Sequence, residues 1–397
     1  MSSGITLTAA TRQSLLALQN TASQTSTIQN QLATGKKVSS ALDNPVSFFT
    51  AQSLDQRSGD LSNLLDGISN GVQAIQAANQ GITSIQSLVN QAKSVANQAL
   101  STQITTTGTA TTPYAAPTAA ATVSLYVNGA ATNVPLTSGS TIDQTISALN
   151  TAVGAGSFTK STDGTKIVIN ASSDVEFKTS ADQTALGFTA GTAASGPTYG
   201  AVTTVGQSGD LSVSGVATRS TLATQYNSLL TQIDQLAGDS SFNGTNLIGG
   251  KGSNNNLTIA FNPKGNSNLA VVATDETSNG LGLSAITSTS AGTTTVGQGN
   301  FLLNADINTT LNKLTTAASQ LRTDASTFGS SLSVVQNRQD FSKNLINILD
   351  TGSSNLTNAD MNAAAANSQA LSTRQSLGIS ALSLANTAQQ GVLQLLR

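Results

Sequence analysis

The chain has 397 residues, a formal charge of −2, 38% hydrophobic and only 9% charged residues, and neither histidine nor cysteine. That length suits roughly two to four domains, or one elongated and segmented molecule. Without His or Cys there are no disulfides, Cys/His zinc sites, Cys nucleophiles or His-dependent acid–base steps. With no basic run there is also no electrostatic footprint for nucleic acid. Ser, Thr, Asn, Gln, Ala and Gly take the place of charge, a composition that suits a chain packed against copies of itself. No stretch reaches the ~18 apolar residues of a membrane span. Residues 1–30 lack the continuous apolar run of a signal peptide, so the chain is expected to stay in the cytoplasm or to leave it with its N-terminus intact.

The first ~100 residues read as long helices. Leu15, Leu18, Ala22, Thr25, Gln29 and Leu32 step by three and four, which places them on one coiled-coil-like face. Gly35 ends this run, and Asp43-Asn44-Pro45 turns into a second helix. That helix, about 45–100, carries a stripe of Leu54, Leu61, Leu65, Ile68, Val72, Ile75, Ile82, Ile85 and Val89. Residues 101–120, with Pro113 and Pro117, read as a linker. A small α+β module follows. Val123–Val127 alternates as a strand and Asn128-Gly129 is a hairpin turn. Thr141 caps a short helix carrying Ile142, Ile146 and Leu149, and Asp163-Gly164 turns into a strand over 166–169. Helix returns over about 217–237 with Leu222, Tyr226, Leu229, Leu230, Ile233 and Leu236. Turns and short strands occupy 239–290, including Leu257–Phe261. A last helical region runs from about 306 to 397, with a break expected near Gly352. Near its end, Leu382, Ala385, Gln389, Val392 and Leu396 repeat the three–four step.

Candidate chemistry is sparse. Asp43, Asp163, Asp174, Glu176 and Asp182 fall in turn- or strand-like contexts and are expected to be solvated surface residues. Gly249-Gly250-Lys251-Gly252 lacks phosphate-loop spacing and reads as a flexible turn. No catalytic, cofactor-binding or metal-binding residue is expected. The fold class is mainly α with a β-rich middle, the two helical ends paired with each other. Isolated stripes this thin are marginal without a partner surface.

Several segments resemble bacterial flagellin. Gln31-Leu-Ala-Thr-Gly-Lys-Lys-Val38 followed by Ala41-Leu-Asp-Asn44 is similar to the family's N-terminal segment, with Gly35, Lys36, Asp43 and Asn44 at the motif positions. Gly71-Val72, Gln76, Ile85 and Ala96–Ala99 fall in register with its N-terminal core helix. Ser241-Phe-Asn-Gly-Thr-Asn-Leu247, after Gln232-Ile-Asp234, resembles its Phe-Asn-Gly element at Phe242, Asn243 and Gly244. Gln336-Asn337-Arg338 matches its Gln-Asn-Arg, and Leu384–Arg397 resembles its Val-Leu-x-Leu-Leu ending. Together these cover about 1–100 and 215–397 in the family's order. The middle is similar to a small module inserted in flagellins and hook-associated proteins, with Thr141 to Asn150 as its helix. At Lys93, Ser94 and Val95 the sequence departs from the Arg-Glu-Leu triplet that an animal innate-immune receptor reads in many flagellins. That departure implies weak activation and resembles alphaproteobacterial flagellins.

The resemblance implies a flagellar filament subunit that self-polymerises by ordering its ends. The elongated architecture would divide at 1–44, 45–104, 105–215, 216–305, 306–351 and 352–397, with 105–215 facing outward. The expected assembly contacts are Leu15, Leu18, Leu32, Leu382, Val392, Leu395 and Leu396. The implied partners are further copies of the chain, the flagellar export apparatus and its chaperone, and hook-associated and cap proteins. Export would proceed to the extracellular flagellum without signal cleavage. Two rival readings are a hook–filament junction protein and a surface glycan-binding or adhesion module in the Ser/Thr-rich middle. A His-Glu-x-x-His metallopeptidase of the outer region is excluded by the lack of histidine.

Overall fold

A computed structural model describes residues 9–128, 130–191, 207–252, 255–286 and 301–395. The chain divides into two compact units. The first is Met1–Ser69, Ala260–Asn268 and Gln336–Arg397, and the second is Asn70–Ile259 and Leu269–Val335. Two long helices, α2 (Pro45–Ser101) and α6 (Asn304–Thr357), contribute residues to both.

In the first unit α1 (Ala9–Thr34) packs along α7 (Met361–Leu395). The seam on α1 is Thr11, Ser14, Leu18, Thr21, Thr25, Ile28 and Leu32, a regular three–four step. It differs from the expected stripe at alternate positions. Leu18, Thr25 and Leu32 face α7, whereas Leu15, Ala22 and Gln29 point outward and Ser14, Thr21 and Ile28 replace them. Both sets share the 3.5-residue period, so the pattern alone could not separate them. Close packing separates them, because Leu18 lies over Gly378 of α7, where any Cβ would come within 2.9 Å of Leu18 Cδ2. Buried threonines cost little here. The Thr21 hydroxyl donates to Ala17 O at 2.9 Å and the Thr25 hydroxyl to Thr21 O at 2.8 Å, leaving the methyl groups to pack.

The helix expected to break near Gly352 continues to Thr357. Gly352 faces Leu54 of α2, and Ser58 Oγ donates to Asp350 Oδ1 at 2.6 Å. These tertiary contacts outweigh the ~1 kcal/mol intrinsic cost of an interior glycine. The chain turns at 358–360 instead, where Asp360 Oδ1 accepts from Asn362 N and Ala363 N and starts α7.

In the second unit each long helix carries a continuous buried seam. On α2 it is Ile75, Ile82, Val89 and Ala96 with Ala78, Ile85, Ala92 and Ala99. On α5 (Val216–Asp239) it includes Ala223, Tyr226, Leu230, Ile233 and Ala237. On α6 it is Ile307, Thr310, Leu314, Ala317, Leu321, Phe328 and Val335. Burying an Ile or Leu of this kind contributes roughly 1.5–3 kcal/mol. Residues 71 and 81 of α2 are glycines where neighbours approach closely. A Cβ on Gly71 would meet Ile259 Cδ1 at 2.4 Å.

The α+β module inserted in this unit has two antiparallel sheets. One runs β4 (Phe158–Lys160), β5 (Ile167–Ala171), β1 (Thr105–Thr109), β7 (Leu211–Ser214). The other runs β3 (Ala130–Leu136), β2 (Ala121–Val127), β6 (Val175–Phe177). Entry strand β1 pairs with exit strand β7, Thr105 opposite Ser214, so the chain leaves the module where it entered. Of residues 101–120, expected as a linker, 105–109 instead form the sheet strand β1. Helix α3 (Ile142–Val153) has a full capping box between Thr141 and Gln144. Helix α4 (Ser180–Ala185) has one between Thr179 and Asp182. Val123, Leu125, Val134, Phe158, Ile167, Ile169, Phe177 and Phe188 form the shared core.

Two further two-stranded pieces follow α5. They are the hairpin β8 (Ser241–Phe242) with β9 (Thr245–Asn246), and β10 (Leu257–Ala260) with β11 (Asn268–Val271).

Candidate assembly surfaces

The segment Gly35-Lys36-Lys37 clasps the end of α1 to the end of α6. Gly35 adopts φ +70°, which a side chain would resist, and its N–H donates to Gln31 O at 2.8 Å. Lys37 N donates to Thr357 O at 2.7 Å, Ala359 N to Gly35 O at 2.9 Å, and Lys36 bridges Asn358. Lys37 Nζ also donates to Asn355 O at 2.8 Å, a cation on the last carbonyls of α6. Lys37 was not singled out from the sequence, although its place in the motif was visible.

Asp43 is exposed but tied to the turn before it. One oxygen accepts from the backbone N–H and hydroxyl of both Ser39 and Ser40. The Ser39 and Ser40 backbone bonds hold its pKa below the ordinary value of 3.8. Asn44 Oδ1 accepts from Ser47 N at 3.0 Å and caps α2, with Pro45 as the first helical residue.

The Phe-Asn-Gly element is the tip of the β8–β9 hairpin, with Asn243 at φ +48° and Gly244 at φ +81°. Its anchoring side chain is Asn246, which the sequence reading passed over. Asn246 Nδ2 donates to Ala237 O and Gly238 O at the end of α5, and Oδ1 accepts from Ile248 N and Gly249 N. The Gly249-Gly250 stretch is not a free turn. Gly249 bridges Asp275, and Gly250 N donates to Thr274 O at 3.3 Å.

Gln336 and Asn337 are exposed on α6. The Arg338 guanidinium lies 5.6 Å from the ring centroid of Phe261. Lys93 Nζ donates to Thr315 Oγ1 at 3.2 Å, and Ser94 is exposed beside it. Val95 is half-buried.

Among the expected assembly residues, Leu18, Leu32 and Leu382 sit in or along the α1–α7 seam, while Leu15 is exposed on its outer face. Val392 and Leu395 belong to α7 but their side chains fall outside the described residues, as does all of Leu396. Exposed apolar side chains absent from the sequence reading lie elsewhere in the first unit. Leu42, in the turn before α2, is 95% exposed, and Val46 and Phe49 are exposed near the start of α2. Phe341 and Ile348 stand one heptad apart on α6, each one residue before the buried Ser342 and Leu349. A heptad-spaced exposed pair beside a buried seam forms a second, unoccupied stripe on the same helix.

Three of the acids expected at the surface are buried: Asp174, Glu176 and Asp182. Asp182 completes the capping box of α4 with Thr179, and its Oδ1 accepts from Ser124 N at 2.9 Å. Asp174 is 1% exposed with Oδ1 unpartnered, and burial pushes its pKa up from 3.8 to about 7. Strand alternation marks which residues point inward but does not exclude an acid from that side. Among the described residues no group of three acids, histidines or cysteines is placed to hold a metal ion. No described helix is long and apolar enough to cross a membrane.

The ends of the chain match two family descriptions. Residues 5–115 match the bacterial flagellin N-terminal helical region, and residues 311–396 the bacterial flagellin C-terminal helical region. This chain belongs to the bacterial flagellins. Flagellin C of Rhizobium meliloti (strain 1021) is 34% identical over 105 residues, 26% of this chain and 33% of that protein. A flagellin of Brucella melitensis biotype 1 is 27% identical over 232 residues, 55% of this chain and 78% of that protein. The matched region thus spans a third of the first relative's length and about three-quarters of the second's. Both organisms are alphaproteobacteria, in line with the resemblance at Lys93-Ser94-Val95.

Proposed function

We propose that this flagellin polymerises into the extracellular flagellar filament through its first unit. The α1–α7 pair forms the inner contacts, and the Leu42–Phe49 and Phe341–Ile348 surfaces form a second set. The observation that carries the reading is the coexistence in one unit of a thin Thr/Ser/Gly-rich seam and several exposed large apolar side chains. A subunit with two different sticky surfaces makes heterologous contacts, and such contacts propagate as an open helical array. The α1–α7 pair is almost free of charge. Arg12 is the sole charged residue in α1 and Arg374 the sole one in α7, so close packing strands no carboxylate.

On this reading 1–44 and 352–397 are the inner segments, 45–104, 216–305 and 306–351 the core, and 105–215 an outward module. The chain leaves the cell through the flagellar export apparatus with a chaperone and without signal cleavage, and meets hook-associated and cap proteins at the filament ends. Lys93-Ser94-Val95 makes it a weak agonist of the innate-immune receptor, because lysine lacks the planar fork of arginine and serine lacks the carboxylate. Full activation of a reporter by purified monomer would contradict that. The assembly reading is tested by seeding purified chain onto filament fragments and counting extended filaments by electron microscopy. Removal of residues 382–397 abolishes extension, and equal extension by the shortened chain would refute the mechanism.

A further inference from the structure

A strap of chain over 273–283 lies in the core of the second unit and carries a buried acid. Thr274 N donates to Leu247 O at 2.8 Å and Glu276 N to Ile248 O at 2.9 Å, so the strap is zipped to the residues after the β8–β9 hairpin. Ser278 N and Oγ donate to the two carboxyl oxygens of Asp234 on α5. Glu276 is 0% exposed. Neither of its carboxyl oxygens has a well-aligned hydrogen-bond partner, nor does the neighbouring Thr274 hydroxyl.

The groups that face Glu276 are acids. Asp324 of α6 approaches its carboxyl, Asp275 lies next to it in the strap, and the Thr274 hydroxyl is the nearest neutral polar group. The residues it is zipped against, Leu247, Ile248, Gly249 and Gly250, carry no charge. Asp324 itself is half-buried on α6, and it falls in the three–four step of the buried seam between Leu321 and Phe328. A core position that the period would assign to an apolar residue is therefore occupied by a second carboxyl. Two carboxylates in such a place cannot both be ionised without opposing charge.

We propose that Glu276 and Asp324 hold one proton between them, and that this proton keeps the strap seated in the core. The protonated carboxyl of one residue donates its O–H to the carboxylate of the other, so the pair carries a single negative charge. When the proton leaves to solvent, the pair carries two and the strap is pushed from its seat. Desolvation, reinforced by Asp324, raises the Glu276 pKa from 4.5 to about 7. A folded-state pKa raised above the unfolded value gives stability that is complete below about pH 4.5 and lost as pH rises through about 7.

The sequence contains only two glutamates, Glu176 and Glu276. The full monomeric chain labelled with carbon-13 at glutamate Cδ therefore gives two carboxyl resonances, and Glu276→Gln assigns them by deletion. The expected Glu276 midpoint lies near pH 7, and Asp324→Asn moves it down by about one unit or more as the like charge disappears. In thermal unfolding, Glu276→Gln raises Tm at pH 8 by about 5 °C relative to wild type and leaves it nearly unchanged at pH 4.5. Asp324→Asn gives the same trend and serves alone if Glu276→Gln does not fold. A midpoint near 4.5, or one that Asp324→Asn leaves in place, would overturn the shared proton. So would magnesium or calcium at pH 8 reproducing the protonated-state Tm, which would make the pair a cation site.

Discussion

The two units handle apolar surface in opposite ways. In the second, long helices and the α+β module enclose runs of Ile, Leu, Val and Phe that are almost entirely hidden, such as Ile75, Ile82, Ile85, Leu314 and Phe328. In the first, the α1–α7 seam is built mostly of Thr, Ser, Ala and Gly, while Leu16, Val46, Phe49, Phe341, Ile348 and Leu384 face outward. The second unit is thus an ordinary folded body. The first leaves apolar surface uncovered, and under the proposed assembly neighbouring copies complete its burial.

That contrast can be broken most directly from the core side. Ile82→Ala in the second unit should cost about 3 kcal/mol of monomer stability in chemical denaturation, because it leaves a cavity in a seam that cannot close. Arg219→Met tests the junction at the base of the inserted module. The buried guanidinium donates to Thr102 O, Phe301 O, Leu302 O and Asn304 Oδ1, joining the chain after α2 to the start of α6. Its loss should cost about 2–3 kcal/mol, measured the same way, since carbonyls in the interior lose their donor. Phe341→Asp with Ile348→Asp is the converse experiment. Monomer stability should stay within about 0.5 kcal/mol, while seeded filament extension is lost. A large drop in monomer Tm would show that these side chains belong to the subunit's own core.

Asp174→Asn sharpens the comparison within the inserted module. Its folded-state pKa of about 7 lies above the ordinary 3.8, so the wild-type contribution is complete below about pH 4 and is lost as pH rises through 7. The variant should therefore be more stable than wild type at pH 8, by about 2 kcal/mol, and equal to it at pH 4. Asn243→Ala is the smallest expected effect. A left-handed φ of +48° costs a non-glycine side chain about 1 kcal/mol, to be read from the denaturation midpoint.

The order of elements was legible because it rests on local signals. The Thr141 cap of α3, the β2–β3 hairpin after Asn128, Asn44-Pro45 and the Ile-rich stripe of α2 each act within a few residues, and each appears where its pattern placed it. The α1–α7 seam was only half legible. A stripe of Leu15, Leu18, Ala22, Thr25, Gln29 and Leu32 and its neighbour through Ser14, Thr21 and Ile28 have the same period and nearly the same polarity. Contact with α7, Leu18 over Gly378 in particular, selects between them.

Sequence by itself determined that this chain has two long helical ends, a β-containing insert and no Cys or His chemistry, and that it carries the flagellin motifs in order. Only the tertiary structure decided which residues of a weakly patterned helix face inward, that Phe341 and Ile348 stay exposed, and that Asp174 and Glu276 are buried. The physical reason is one of range. Caps, turns and period are written in neighbouring residues, whereas burial depends on which distant segment arrives at the same place, as Asp324 does at Glu276.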